Sequence, residues 1–272
     1  MKIMKTLRNI LMLVAAVAAT TACEKNAVQT IAGPLEGGVS VKFFNFAVGS
    51  PQVNFYINET KVTAVSATGC AILDDLNRSE CLSSGREATT GVAYGGAGNG
   101  TSGWYSDVAA GQVTLSGRIA ATTDKNLPIH TLQSTINQGR FYSYYLSGIY
   151  NTTTKQADSF IVEDVLPASD FTVAYVRFVN ASSTTQPMTL YARTTGTTQE
   201  TAVGAAIAYK AAGDFVQLPP GSYDLSTRNT GSSTNVFTRA AVSFLPGRVY
   251  TIAARGNTAT ASTMALDNTA NR

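Results

Sequence analysis

Hydrolysis by a serine nucleophile needs a base beside it, and His130 is the only histidine in the sequence. It follows Pro128 in an expected loop, and no Gly-x-Ser-x-Gly elbow accompanies it. Glycoside cleavage by acid and base needs two carboxyl groups flanking one bond. Asp74, Asp107, Asp124 and Glu163 are candidates, but no motif singles out a pair. Gly91, Gly95, Gly96, Gly98, Gly100 and Gly103 form a cluster without the Gly-Lys-Ser/Thr that a phosphate loop needs, so a hairpin connection is expected. Cys70 and Cys81 bracket Asp74, Asp75, Asn77 and Glu80, whose hard oxygens suit calcium. Their spacing departs from the calcium-loop pattern. The expectation is a solvated loop closed by a Cys70–Cys81 disulfide, worth roughly 2–3 kcal/mol in a chain-entropy account. One histidine and one cysteine pair do not make a zinc set. These residues predict no enzyme, no metal and no cofactor.

Aromatic side chains offer a different chemistry, stacking on sugars or holding protein partners. The richest stretch runs from Phe141 to Tyr150 (FYSYYLSGIY). If Tyr142, Tyr144 and Leu146 face a core, Phe141 and Tyr145 face outward, and Trp104 lies elsewhere in the same half of the chain. Phe141, Tyr145 and Trp104 are therefore the candidate ligand platform. The alternative is burial of the same stretch against a second domain.

The elements that must position these groups begin after residue 38. Lys2, Lys5 and Arg8 precede the apolar run Ile10–Ala19, and small residues lead into Cys23. That order is a signal peptide over 1–22, too short to span a bilayer as a helix. The segment resembles a bacterial lipobox, which implies diacylation of Cys23 and a membrane partner through the N-terminal lipid. Two or three acyl chains hold a soluble domain firmly. Residues 23–37 read as a flexible tether, and cell-envelope placement follows, weighted toward the outer membrane. Removing the three leader cations leaves 17 of the 20 basic residues against 17 acidic ones. That neutrality argues against nucleic acid, whose binding requires phosphate neutralisation.

The chain also repeats itself. Val39-Ser-Val-Lys-Phe-Phe-Asn45 aligns with Ala174-Tyr-Val-Arg-Phe-Val-Asn180, placing Lys42 over Arg177. Tyr56 falls over Tyr191, Val92 over Ile207, Arg118 over Arg228, and Gly139-Arg140 over Gly247-Arg248. Offsets shrink from 135 to 108 as loop lengths differ. The blocks alternate with a period of two, as half-buried strands do. Leu218-Pro-Pro-Gly-Ser222 and Leu245-Pro-Gly-Arg248 both predict type II turns. The expectation is all-β: two tandem immunoglobulin-like or transthyretin-like antiparallel β-sandwich domains over 38–165 and 170–260, with 261–272 a tail. The first carries about twenty extra residues around the cysteine pair.

The succession V-R-F-x-N-A-S, L-Y, L-P-P-G-S-Y-D-L and L-P-G-R-x-Y-T-I over residues 174–256 resembles the DUF4397 family of bacterial exported proteins. The resemblance implies β-sandwich architecture and frequent lipoprotein character, and it carries no catalytic residue. The function expected is a lipid-anchored, non-enzymatic envelope protein with a structural, adhesion or ligand-presenting role. The alternative is a carbohydrate- or peptidoglycan-binding module, with a glycan or an envelope protein as partner.

Overall fold

The computed structural model describes residues 38–63, 71–72, 79–80, 91–98 and 104–272. Cys23, Cys70, Cys81, Asp74, Asp75, Asn77, Gly100 and Gly103 lie outside the described residues, and with them the leader, the lipidation site and the disulfide. The chain from Glu36 to Arg272 is one unit, and its regular structure is almost wholly strand.

The N-terminal half contributes β1 (Val39–Asn45), β2 (Val53–Ile57), β3 (Thr60–Lys61), β4 (Ala71–Ile72), β5 (Ser79–Glu80), β6 (Gly96–Ala97), β7 (Ser106–Val108), β8 (Gly111–Ile119), β9 (Pro128–Ile136), β10 (Phe141–Asn151) and β11 (Gln156–Glu163). The C-terminal half contributes β12 (Ala174–Asn180), β13 (Met188–Thr194), β14 (Glu200–Ile207), β15 (Ala211–Ala212), β16 (Val216–Leu218), β17 (Gly221–Asn229), β18 (Asn235–Phe244), β19 (Val249–Arg255) and β20 (Ala265–Ala270). Each half is a two-sheet sandwich. The outer sheets run β3-β2-β8-β9 and β14-β13-β17-β18. The inner sheets run β11-β10-β1-β6 and β15-β12-β19-β20, with β7 also on β1 and β16 also on β12. Pairing is antiparallel except for one parallel pair per sandwich, β1 with β10 and β12 with β19. Four of the five aligned blocks occupy corresponding strands, β1 with β12, β2 with β13, β8 with β17 and β10 with β19, while Val92 makes only an isolated bridge to Val53 where Ile207 ends β14.

Alternation explains the cores. Val39, Val41 and Phe43 of β1, with Tyr142, Tyr144 and Leu146 of β10, point at Phe55 and Leu115 of the outer sheet. Phe43 and Phe55 stack at 5.3 Å between ring centroids. In the other sandwich Val176, Phe178, Tyr250 and Ile252 meet Leu190, Leu225 and Phe244. The alternate residues make a third cluster, Phe44, Phe46, Tyr145 and Phe160 against Val179, Ala181 and Ala253, which joins the two inner sheets face to face. The inner strands are thus covered on both faces, where period-two alternation had suggested half-burial. All seven residues of β12 are buried.

Three local expectations change. His130 lies within β9, since a proline at the first position of a strand costs no ladder bond. The residues read as a tail, 261–272, form a 3-10 turn and then β20, which pairs with β19 from Tyr250 opposite Ala270 to Arg255 opposite Ala265. The turn at Leu245–Arg248 has Gly247 at φ 74, as a type II turn requires. At 218–222, by contrast, Gly221 takes no left-handed φ and opens β17 directly.

Candidate functional site

Lys42 and Arg177 hold equivalent central positions on β1 and β12, and each is 2% exposed. A cation in the middle of an apolar strand must point away from that strand's own core. Here that direction leads into the joint between the inner sheets. Each is paired across its sheet with a hydroxyl residue, Lys42 with Ser143 and Arg177 with Thr251. Both cations meet around Asp164, which directly follows β11. Arg177 Nη2 donates to Asp164 Oδ1 in a fully buried ion pair. Its Nη1 donates to the Glu163 carbonyl at 3.0 Å and its Nε to Thr251 Oγ1 at 2.9 Å. Tyr105 and Ser143 donate to Asp164 Oδ2 at 2.7 and 2.8 Å. Thr251 donates in turn to Asn271 Oδ1 at 2.7 Å, and Asn271 Nδ2 to Tyr105 Oη at 3.0 Å. Lys42 Nζ donates to the Ala270 carbonyl at 2.5 Å and sits 4.5 Å above the Tyr105 ring.

Burial dominates the protonation of this centre. It brings Lys42 down to about 8, against the opposing pull of Asp164 and with a further push from Arg177. The Tyr105 hydroxyl is pushed well above its ordinary value by burial and by the Asp164 carboxylate. Removing one partner of a buried pair strands the other charge in low dielectric. These groups keep their partners only while the two inner sheets hold this seating.

A second polar contact crosses the joint beside it. Tyr209 donates to Asp158 Oδ2 at 3.0 Å and lies 3.0 Å from Ser147 Oγ. Lys210 Nζ pairs with Asp158 Oδ1 at 2.9 Å. His130 Nδ1, on β9, is 2.7 Å from the Oγ of Ser159, a buried residue of β11. Burial holds the imidazole below its ordinary range, opposed by Asp158 and assisted by Lys210. Of the four candidate carboxylates, Asp107 accepts from Ser40, while Asp124 and Glu163 pair with Lys155 and Arg140.

The aromatic candidates do not form one platform. Tyr145 does face away from its own core, but the C-terminal sandwich covers that face. Tyr145 is 1% exposed, stacked between Phe44 at 4.8 Å and Phe160 at 5.0 Å. Phe141 is half-buried at the rim, edge-on to Tyr105 at 5.2 Å. Trp104 is 70% exposed. Among the glycines, Gly95 has a φ of 79 and leaves room for the Arg255 guanidinium, 2.7 Å from where a Cβ would sit.

Sequence reasoning singled out none of Lys42, Asp164 or Arg177 as a site. The usable signal was present: a cation at the same register in the two aligned apolar strands.

Each outer sheet repeats a smaller arrangement on its exposed face. Arg118 lies 4.4 Å above the Tyr56 ring and pairs with Glu59 at 2.5 Å. Arg228 lies 4.5 Å above Tyr191 and pairs with Glu200 at 2.5 Å.

The molecule is thus a pair of like-ordered β-sandwiches joined through their inner sheets by an aromatic cluster and a buried charge network. Residues 174–272 match the family model described as "Domain of unknown function (DUF4397)". No curated protein matches the chain. Among solved structures, a leucine-rich repeat protein from Bacteroides thetaiotaomicron aligns at 14% identity with a TM-score of 0.20. That alignment covers 81% of this chain but 26% of the other, so the chain spans about a quarter of that protein's length. A protein from Bacteroides eggerthii titled "putative cell adhesion protein" aligns at 11% identity and a TM-score of 0.24, covering 88% and 97%. At such TM-scores neither likeness carries an argument. Among the described residues no helix is long and apolar enough to cross a membrane.

Proposed function

We propose that this chain is a lipid-anchored, non-enzymatic module of the cell envelope that presents its two outer sheets from one rigid body. The observation that carries this reading is the seal between the inner sheets, where Phe44, Tyr145 and Phe160 stack beside the Lys42–Asp164–Arg177 network. An interface that buries stacked rings and a hydrogen-bonded charge centre commits the sandwiches to one arrangement, as a spacer or adhesion element requires. The outer strands lean the other way: β14 and β18 show polar or small residues at most exposed positions. The leader, the small residues before Cys23 and the tether support anchoring at the envelope.

The test is binding by the soluble chain from Glu24 onward to whole envelope fractions, peptidoglycan and insoluble polysaccharides, with cross-linking on intact cells. The expected result is saturable retention by an envelope fraction and no turnover of ester, peptide or glycoside substrates. Turnover of any of them, or no retention by any fraction, overturns the reading.

A further inference from the structure

The central strands of both inner sheets begin at one end of the molecule. β1 runs parallel to β10, and β12 to β19. Across the joint, Lys42 near the start of β1 reaches the Ala270 carbonyl, and Ala270 pairs with Tyr250 near the start of β19. Phe46, just past the end of β1, lies 5.7 Å from the guanidinium of Arg255, which ends β19. The two sandwiches therefore point the same way, with a leading end where these strands start and a far end where they stop. The described chain enters at the leading end, where the Gly38 carbonyl accepts from Gly139 N at 3.1 Å.

The two ends differ in chemistry. The far end turns at 121–126, 151–155 and 229–234, where threonine, serine and asparagine predominate. The leading end exposes Pro219 and Pro220 ahead of β17, and Leu245 and Pro246 ahead of β19. Phe171 lies against Gly247 in the latter turn and is 79% exposed, the most of any large apolar side chain described. Val165, directly after Asp164, is exposed as well. Single exposed apolar side chains are ordinary, but these collect where the chain enters. Arg248, exposed in the same turn, has no carboxylate partner among the described residues. Arg272 Nη2 donates to the Pro167 carbonyl at 2.8 Å instead of to an acid. The acids at this end are engaged: Asp170 accepts from Thr172 N at 2.8 Å, Asp107 from Ser40 at 3.0 Å, and Glu163 pairs with Arg140 at 3.5 Å. An apolar tip flanked by arginines matches the boundary of a phospholipid bilayer, where rings sit among headgroups and guanidinium groups bind phosphate.

The tether read from the sequence, 23–37, spans roughly 20 Å as a coil. Once Cys23 is acylated, that length keeps the leading end nearest the bilayer. A surface held so close docks as an intramolecular step at an effective concentration of about millimolar, so a small apolar contact suffices. We infer that the leading end, with Phe171, Leu245 and Arg248 at its tip, docks on the phospholipid surface and turns the hydroxyl-rich far end outward. The inference deepens the anchored-module reading and rests on it.

The experiment supplies the anchor artificially, so that docking and acylation are tested apart. The chain from Glu24 onward carries an N-terminal histidine tag and is held on vesicles of phosphatidylcholine, phosphatidylglycerol and a nickel-chelating lipid. Trp104→Phe removes the one tryptophan of the chain. In that background an indole is placed at the leading end by Phe171→Trp or at the far end by Ser233→Trp. Emission is compared between vesicles with and without bromine on the phosphatidylcholine acyl chains. With Phe171→Trp, an indole about 5–10 Å into the headgroup–acyl boundary should lose at least about half its emission to the bromines. Ser233→Trp should lose none, and Leu245→Asp added to Phe171→Trp should restore most of the emission. All four substituted positions are exposed, and unchanged denaturation midpoints verify folding. Equal quenching at both ends, quenching at the far end alone, no quenching, or quenching indifferent to Leu245→Asp overturns the inference and leaves the anchored module standing. Acylation is read separately, by labelling the full chain in bacterial cells with an alkyne fatty acid; label lost in Cys23→Ala is expected. An unlabelled full chain overturns the anchored reading, and the inference with it, whatever the quenching.

Discussion

At the scale of single residues, Lys42 shows most directly how position overrides type. On sequence it is a polar residue of an alternating strand; in the folded chain it is sealed between sheets, within reach of Asp164 and beside Arg177. Its folded value, about 8, lies below the 10.5 of an exposed lysine. Below pH 8 the ammonium is charged in both states, and its desolvation penalty is fully present. Between about 8 and 10.5 the unfolded chain binds more protons than the folded one, so this group's contribution makes stability rise with pH. Tyrosines 105, 144, 145 and 209, all held above their ordinary range by burial, act oppositely once the pH passes 10. The window is therefore pH 8 to 10. Denaturant unfolding across it should show wild-type stability rising by about 2–3 kcal/mol relative to Lys42→Met. A difference curve that stays flat sinks the assignment of Lys42 as a charge held in a dry joint.

At the scale of elements, the C-terminal strand matters more than its composition suggests. The stretch ALDNTA lacks the apolar alternation that reveals β1 or β12, which is why it reads as a tail. Its strand character comes from its partner: β19 offers a free edge, and six residues of β20 pair along it. Leu266 is buried on one side, while the Ala270 carbonyl and Asn271 serve the charge centre on the other. Deleting residues 265–272 should lower stability in guanidinium by at least about 2–5 kcal/mol, the cost of losing a buried leucine alone. A truncated chain with an unchanged midpoint would mean that β20 rests on the sheet without supporting it. By contrast β1, β10, β12 and β19 were legible, because valine, phenylalanine and tyrosine at every second position have few other uses.

At the scale of the whole molecule, the inner-sheet joint packs the two sandwiches through an aromatic cluster and a buried ion pair, and the expected consequence is one cooperative unfolding unit. Calorimetry should show a single transition with equal calorimetric and van't Hoff enthalpies. Asp164→Ala leaves Arg177 charged and unpaired, which should cost about 3–5 kcal/mol and separate the transition into two. Two transitions in the unmodified chain, or an unsplit transition in the variant, would show that the network does not couple the halves.

The sequence by itself determined the all-β character, the strands that carry each sandwich core, the internal correspondence of the two halves and the Gly247 turn. Each of these is written in local alternation or in one residue's backbone freedom. It also aligned Lys42 with Arg177, Tyr56 with Tyr191 and Arg118 with Arg228. Only tertiary structure decided what those positions do. Whether the second face of a strand meets water or another sheet depends on contacts more than a hundred residues apart, as between Lys42 and Ala270. The same physics buried Tyr145, made a strand of 265–270 and gathered two cations around Asp164, because a face of alternating residues states only that it differs from its neighbour, not what will cover it.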